Sequence, residues 1–440
     1  MPSRWLAPHV NQTEESTLLL RPLKYLGAIS RFLDGYRNLP WPAATDRLDF
    51  LDGLRGLAAL FIVCHHSYSL VELCGGALPR SVVFLRFGHF VVTLFIILSG
   101  YCLAMPLLKG GALRGGTLGF LKRRAIRILP PYYAAVGISL VISLLAGGGW
   151  IPMTGFIPVT AAGVASHLLL VNNIWGNTSH TVFGDPTLSG VFWSTAVEWQ
   201  ISLLFPVLAW LWRRFHPLAV APVIGLLAYG VERAGAGTVW AGLSAPYYLM
   251  FAVGMLAATV VYAPWCARLR ERAPWSFLCG VSFTGFCAVS VQQGYNNLST
   301  MFGIADLLFA PFAFTLLIAA SRFGELQRAL SWKPITALGA FSYSIYLLHE
   351  PLLKVLFGAF FEHHVGTLGA AAALALTLVT LVPLTILASR LFYEWFEKPV
   401  IRQPSKSATV PMQVPQVRIK RLSPRRALLR LNYELHKAAL

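Results

Sequence analysis

The chain has 440 residues, 56% of them hydrophobic and only 12% charged, a balance that leaves too much apolar surface for a water-soluble globule and excludes that class. A net charge of +18 would point to nucleic acid in a soluble protein. Here the basic residues sit in short loops and tails between apolar spans, so the positive-inside arrangement accounts for them and no nucleic-acid partner is expected. The fold class that follows is all-α: a polytopic helical bundle embedded in a lipid bilayer.

In residues 1–50 the bases Arg21, Lys24, Arg31 and Arg37 are interleaved with Leu23, Leu26, Ile29, Phe32 and Leu33. That spacing reads either as an amphipathic helix lying on an anionic leaflet or as a solvated basic leader. No secretory signal pattern is present, so the first span is expected to serve as an uncleaved anchor. Ten apolar stretches follow within residues 51–400, beginning near Leu51, Phe90, Ile128, Val191, Leu218, Tyr247, Ser276, Ile304, Ile335 and Thr367. Residues 401–440 turn polar, then basic from Arg418 to Arg430, as expected for a cytosolic tail at the membrane surface.

With the N-terminus in the cytosol, the inner segments hold 31 of the 36 Lys and Arg residues. The outer ones hold four: Arg80, Arg86, Arg233 and Lys354. This asymmetry predicts N-in, C-in and an even number of spans. The outer loop from Gly147 to Gly190 lacks Lys and Arg altogether. It carries a glycosylation acceptor pattern at Asn177, and Asn297 lies in a second one, also expected outside, in an endomembrane such as the ER or in the plasma membrane. The six cysteines follow neither a metal nor a disulfide spacing and read as buried small hydrophobes.

The first span is interrupted by Asp52, Arg55, His65 and His66, and ionisable groups inside a bilayer are functional candidates by default. Arg55 and His66 are eleven residues apart, three turns plus about 20°, so they share one face, about 16 Å apart along the axis. His65 points about 100° away. Asp52, one turn before Arg55, is placed to pair with it. Further on, Arg124 and Arg127 project side by side where the third span leaves the cytosol. A double proline, Pro130-Pro131, is expected to stiffen or kink the chain there. Two such forks suit a phosphate-rich ligand, and plain positive-inside anchoring is the alternative.

Glu198 lies about 10 Å below the outer surface, seven residues into the fourth span, and His66 about 22 Å above the inner one. In a core of about 30 Å the two are nearly level. His349, fourteen residues beyond Ile335, comes to about 21 Å, as a site residue or as a histidine bonded to Ser or Tyr in a helix interface.

The run Leu51-Asp52-Gly53-Leu54-Arg55-Gly56-Leu57-Ala58-Ala59 with His66, Leu98-Ser99-Gly100-Tyr101, the segment Arg123 to Pro131, Phe192-Trp193-Ser194 with Glu198, Ser342-Tyr343-Ser344-Ile345-Tyr346 with His349, and Glu397-Lys398-Pro399 together resemble the membrane acyltransferase 3 family. The resemblance covers nearly all of residues 50–400, and the layout looks closest to fungal members. It implies transfer of an acyl group, often acetyl, from acyl-CoA to a hydroxyl of a small lipophilic or glycosidic acceptor such as a secondary metabolite. It also implies functional roles for His66, Arg55, the Arg124–Arg127 pair and Glu198. Thr93 departs from the pattern, since many bacterial members have an acid there. The hydrolase domain fused to some relatives is not seen, which predicts that acceptor handling stays within the membrane domain.

On this reading acyl-CoA places its phosphates on Arg124 and Arg127, and His66 is the general base on the acceptor hydroxyl, since imidazole titrates near neutral pH. Glu198 is expected to orient His66 or the acceptor. Arg55 is expected to steer the donor or brace His66, and Arg123, Trp193, Ser194 and His349 complete the binding residues. Direct transfer is simpler than an acyl-enzyme on Ser99 or Cys64. The rival is a transporter or flippase with an Arg/His/Glu relay. An inverted repeat would favour that reading, and the sequence shows none.

Overall fold

A computed structural model describes residues 48–110, 113, 115–175, 186–299, 302–322 and 325–401. The expected leader helix, the Asn177 pattern and the basic tail lie outside these. The described residues belong to a compact unit ending at Ile401. They form helices α1 (Asp49–Leu73), α2 (His89–Gly110), α3 (Gly116–Gly147), α4 (Ala161–Leu168), α5 (Phe192–Arg214), α6 (Pro217–Gly235), α7 (Pro246–Tyr262), α8 (Trp275–Ser299), α9 (Phe302–Ser321), α10 (Lys333–Gly339) and α11 (Ser342–Phe360). A last helix, α12, runs over Ala370–Ile401, with π turns at Thr377–Leu381 and Tyr393–Glu397. No strand occurs among the described residues. Nine of the helical stretches are long and apolar enough to cross a membrane, and α11 with the bent segment after it makes a tenth.

Two expected boundaries move. The third span begins at Gly116, not near Ile128, and continues through Pro130 and Pro131 as one helix. The expected kink at the prolines is therefore not a break, and Arg124 and Arg127 stand well inside the helix. The ninth span starts at Ser342, because α10 ends at Gly339 and Phe341 leaves helical geometry. Ile335 belongs to α10, so its spacing to His349 does not measure the depth of His349 along one span.

Small residues set the packing. Gly254 of α7 abuts α2, where a Cβ would lie 1.9 Å from the Ile97 carbonyl oxygen. Gly56 of α1 abuts α10, where a Cβ would lie 2.1 Å from that of Ile335. Lipid tails are as apolar as the side chains, so close backbone approach of this kind holds the bundle together. Gly56 of the first-span motif thus docks α1 onto α10, Gly53 sits against the Leu330 carbonyl just before it, and the tyrosine- and histidine-bearing α11 packs along α1.

Candidate functional site

Arg55 and His66 open onto two different cavities along α1. The first, of about 120 Å³, is lined by Arg55, Ser99 and Cys102, by Arg124 and Arg127 of α3, by Ser194 and Glu198 of α5, and by Tyr343 and Tyr346 of α11. Arg55 Nη1 donates to Asp52 Oδ1 at 3.0 Å, the pairing that the spacing predicts, and Nη2 donates to Cys102 Sγ at 3.1 Å. Cys102 is therefore a wall group of this cavity and not merely a small hydrophobe. Arg124 Nη2 donates to Glu198 Oε1 at 2.8 Å and its Nε to Ser202 Oγ at 3.3 Å. Arg127 reaches solvent in the cavity and makes no ion pair within 4 Å among the described residues. Three guanidiniums face one lining carboxylate, a field that draws anions, and the unpaired fork is the one free to bind them.

The second cavity, of about 150 Å³, is lined by His66, Ser69, Leu70, Leu73, Glu350, Leu353 and Lys354. Glu350 is buried, and four donors and neighbours fix it. Its carboxylate accepts from Ser189 Oγ at 2.6 Å and from the Val191 amide at 3.2 Å. It pairs with Lys354 Nζ at 2.9 Å, and Gly190 leaves room for it, since a Cβ there would stand 3.1 Å from Oε1. An acid and a base one turn apart in an apolar span are a legible signal, and Glu350 and Lys354 are the site residues that the sequence reading passed over.

A layer of rings separates the cavities. Tyr346, in the wall of the first, has its ring 5.6 Å from that of His349, which lies 4.9 Å from that of His66 in the second. The Tyr346 hydroxyl is held by Ser194 and donates to the Val191 carbonyl at 3.1 Å.

Several expectations need correction. Glu198 does not meet His66: it lines the other cavity and is committed to Arg124. Depth along a helix says nothing about which way that helix faces. His349 lines neither cavity. It is fully buried behind His66, with Nδ1 bonded to the Tyr346 carbonyl at 2.7 Å, so its partner is backbone rather than a Ser or Tyr side chain. Trp193 is also buried and packs its ring 5.5 Å from Tyr247, and Arg123 lines neither cavity. Ser194 does line the first, as expected. His65 is not simply turned away. Its ring meets that of His66 at 4.9 Å, and its Nδ1 bonds the Leu85 carbonyl at 2.7 Å, because the short helix Arg80–Gly88 folds back against α1. Asn297 falls in the last turns of α8, past the break at Gly294.

Beyond the cavities, His89 of α2 bonds both oxygens of Asp306 on α9, at 3.1 and 3.2 Å. Thr93 donates to the same carboxylate. Thr93, where the resemblance leads one to expect an acid, thus shares an acid supplied by another helix.

Comparison with known proteins follows the same lines. The chain is similar to the peptidoglycan O-acetyltransferase OatA of Listeria monocytogenes, 26% identical over 341 residues, which are 69% of this chain and 49% of that protein. It is similar to the O-acetyltransferase OatA of Staphylococcus aureus, 24% identical over 329 residues, 69% of this chain and 50% of the relative. Nodulation protein 10 of Rhizobium leguminosarum bv. viciae is 26% identical over 187 residues, 41% of this chain and 48% of the relative. The chain thus spans about half the length of these curated relatives. No solved structure matches it. The family model described as "Acyltransferase domain" matches residues 48–390, from the start of α1 to the middle of α12, and the chain belongs to that acyltransferase family of integral, multi-pass membrane proteins.

Proposed function

We propose that the protein is a membrane O-acyltransferase that moves an acyl group, acetyl in the first instance, from acyl-CoA to a hydroxyl of a lipophilic or glycosidic acceptor. The observation that carries this reading is the pair of cavities along α1, one walled by guanidiniums and the other by His66, with a single layer of rings between them. The phosphates of the donor are read by Arg127, supported by Arg55 and Arg124. The thioester extends from the first cavity past the Tyr346 and His349 rings to the level of His66, a passage that needs this ring layer to part when the donor binds. The acceptor hydroxyl enters the second, where His66 takes its proton as the oxygen attacks the thioester carbon, and the proton then goes to the leaving CoA thiolate. The charge asymmetry of the loops favours N-in, C-in, which puts the guanidinium cavity on the cytosolic side, where acyl-CoA is found, and Asn177 and Asn297 on the other. The names of two relatives, both O-acetyltransferases and one of them specified for peptidoglycan, favour a glycosidic acceptor over a purely lipophilic one.

The test is transfer of radiolabelled acetyl from acetyl-CoA in membranes carrying the wild type or His66→Ala at matched abundance. A general base contributes about 10²–10⁴ in rate, and loss on that scale is expected. Parental transfer by His66→Ala, or label that stays covalently on the wild-type protein as a competent intermediate, would overturn direct transfer.

A further inference from the structure

His349 carries a nitrogen that the mechanism above does not use. Its Nδ1 lies 2.7 Å from the Tyr346 carbonyl and 3.1 Å from that of Ile345. Carbonyl oxygens only accept, so Nδ1 must bear the hydrogen, and in the neutral ring Nε2 must carry the lone pair. That Nε2 is fully buried and has no hydrogen-bond partner among the described residues. An unsatisfied buried acceptor costs about 1–3 kcal/mol, so its retention calls for a reason. The ring beside it is His66, with centroids 4.9 Å apart and planes tilted by 56°, a separation at which nitrogens of two rings turned toward each other come within hydrogen-bond reach. The next residue after His349 is Glu350, with its carboxylate fixed by Ser189, Val191 and Lys354.

We propose that His349 is a positioning residue for acyl transfer: its Nε2 takes the N–H of His66, so that the other His66 nitrogen presents its lone pair to the acceptor hydroxyl in the second cavity. This rests on the acyl-CoA reading above and assigns to a neutral imidazole the orienting part that a carboxylate usually plays. The protons balance. As the acceptor oxygen bonds the thioester carbon, its proton passes to His66, which hands the proton on its far nitrogen to His349 Nε2. The carbon–sulfur bond then breaks, the thiolate takes the proton from His66, and His349 returns its own. While the charge rests on His349, Glu350 faces it in surroundings of low dielectric, where a neighbouring carboxylate counts for most.

The experiment follows release of free CoA thiol from acetyl-CoA by the purified protein, with water and glycerol as surrogate acceptors. The variants are His349→Phe, which keeps a ring and loses the lone pair, His349→Gln, which restores an acceptor oxygen, and both His349→Phe and His66→Ala together. The expected result is a fall in kcat of about 10²-fold for His349→Phe with the KM for acetyl-CoA unchanged. His349→Gln should recover part of it, and the double variant should be no slower than His66→Ala alone, because residues acting as one unit are not additive. A merely structural histidine would instead lower folded yield, read by size exclusion and thermal unfolding in detergent, and multiply with His66→Ala. That outcome, or parental kcat in His349→Phe, overturns the proposal. No thiol release by the wild type overturns the acyl-CoA reading itself, and this role with it.

Discussion

Replacing Arg127 by Ala tests the donor cavity with the least collateral damage. Arg55 and Arg124 are each tied to a carboxylate, at 3.0 and 2.8 Å, so removing either leaves an acid unpaired and mixes a binding loss with a folding cost. Arg127 makes no such pair among the described residues while facing the cavity, and what its deletion takes from the protein itself is the longer-range attraction to Glu397 and Glu198, a smaller loss than a broken ion pair. A charge-assisted hydrogen bond contributes about 1.5–3 kcal/mol, and about 1.4 kcal/mol is a factor of ten. The KM for acetyl-CoA should therefore rise about 10- to 150-fold with kcat little changed, the signature of lost uniform binding. Arg127→Lys should regain part of the affinity, because it keeps the charge and loses the planar fork. The assay is initial-rate thiol release across acetyl-CoA concentrations at two ionic strengths. An unchanged KM at low salt would refute the argument and leave the arginine pair as a membrane-boundary anchor.

Other expectations follow from the same geometry. Gly254→Ala should abolish monodisperse expression, since its Cβ would meet the Ile97 carbonyl at 1.9 Å; a normal elution profile would show that α2 and α7 separate more readily than their contact implies. Asp306→Ala strips the carboxylate from His89 and Thr93 and should lower stability in detergent by about 1–3 kcal/mol for each buried partner left unsatisfied, whereas unaltered unfolding would mean the cluster contributes nothing net. Ser69→Cys, in the second cavity, and Arg123→Cys, exposed near the start of α3, should react with a membrane-impermeant thiol reagent from opposite faces, in a background with the six native cysteines replaced. Labelling from one face would defeat both the N-in, C-in orientation and the two-sided access it supports.

What the sequence determined by itself is what depends on neighbours along one helix and on the solvent. Lipid leaves a chain this apolar little choice but helices, so the spans and their approximate limits were legible, and so were the Asp52–Arg55 pair and the Arg124–Arg127 face, which need only helical periodicity. Periodicity also set Arg55 and His66 on one stripe. Only the tertiary structure decided which helix each stripe meets. It gave Glu198 to Arg124 rather than to His66, brought Glu350 and Lys354 from α11 to the His66 cavity, buried His349 behind that histidine, and supplied Asp306 to Thr93 from 213 residues away. The reason is geometric: rise per residue fixes depth in the membrane, but the rotation of each helix and its choice of neighbour are set by close contacts such as Gly56 on Ile335 and Gly254 on Ile97, which no single span contains within itself.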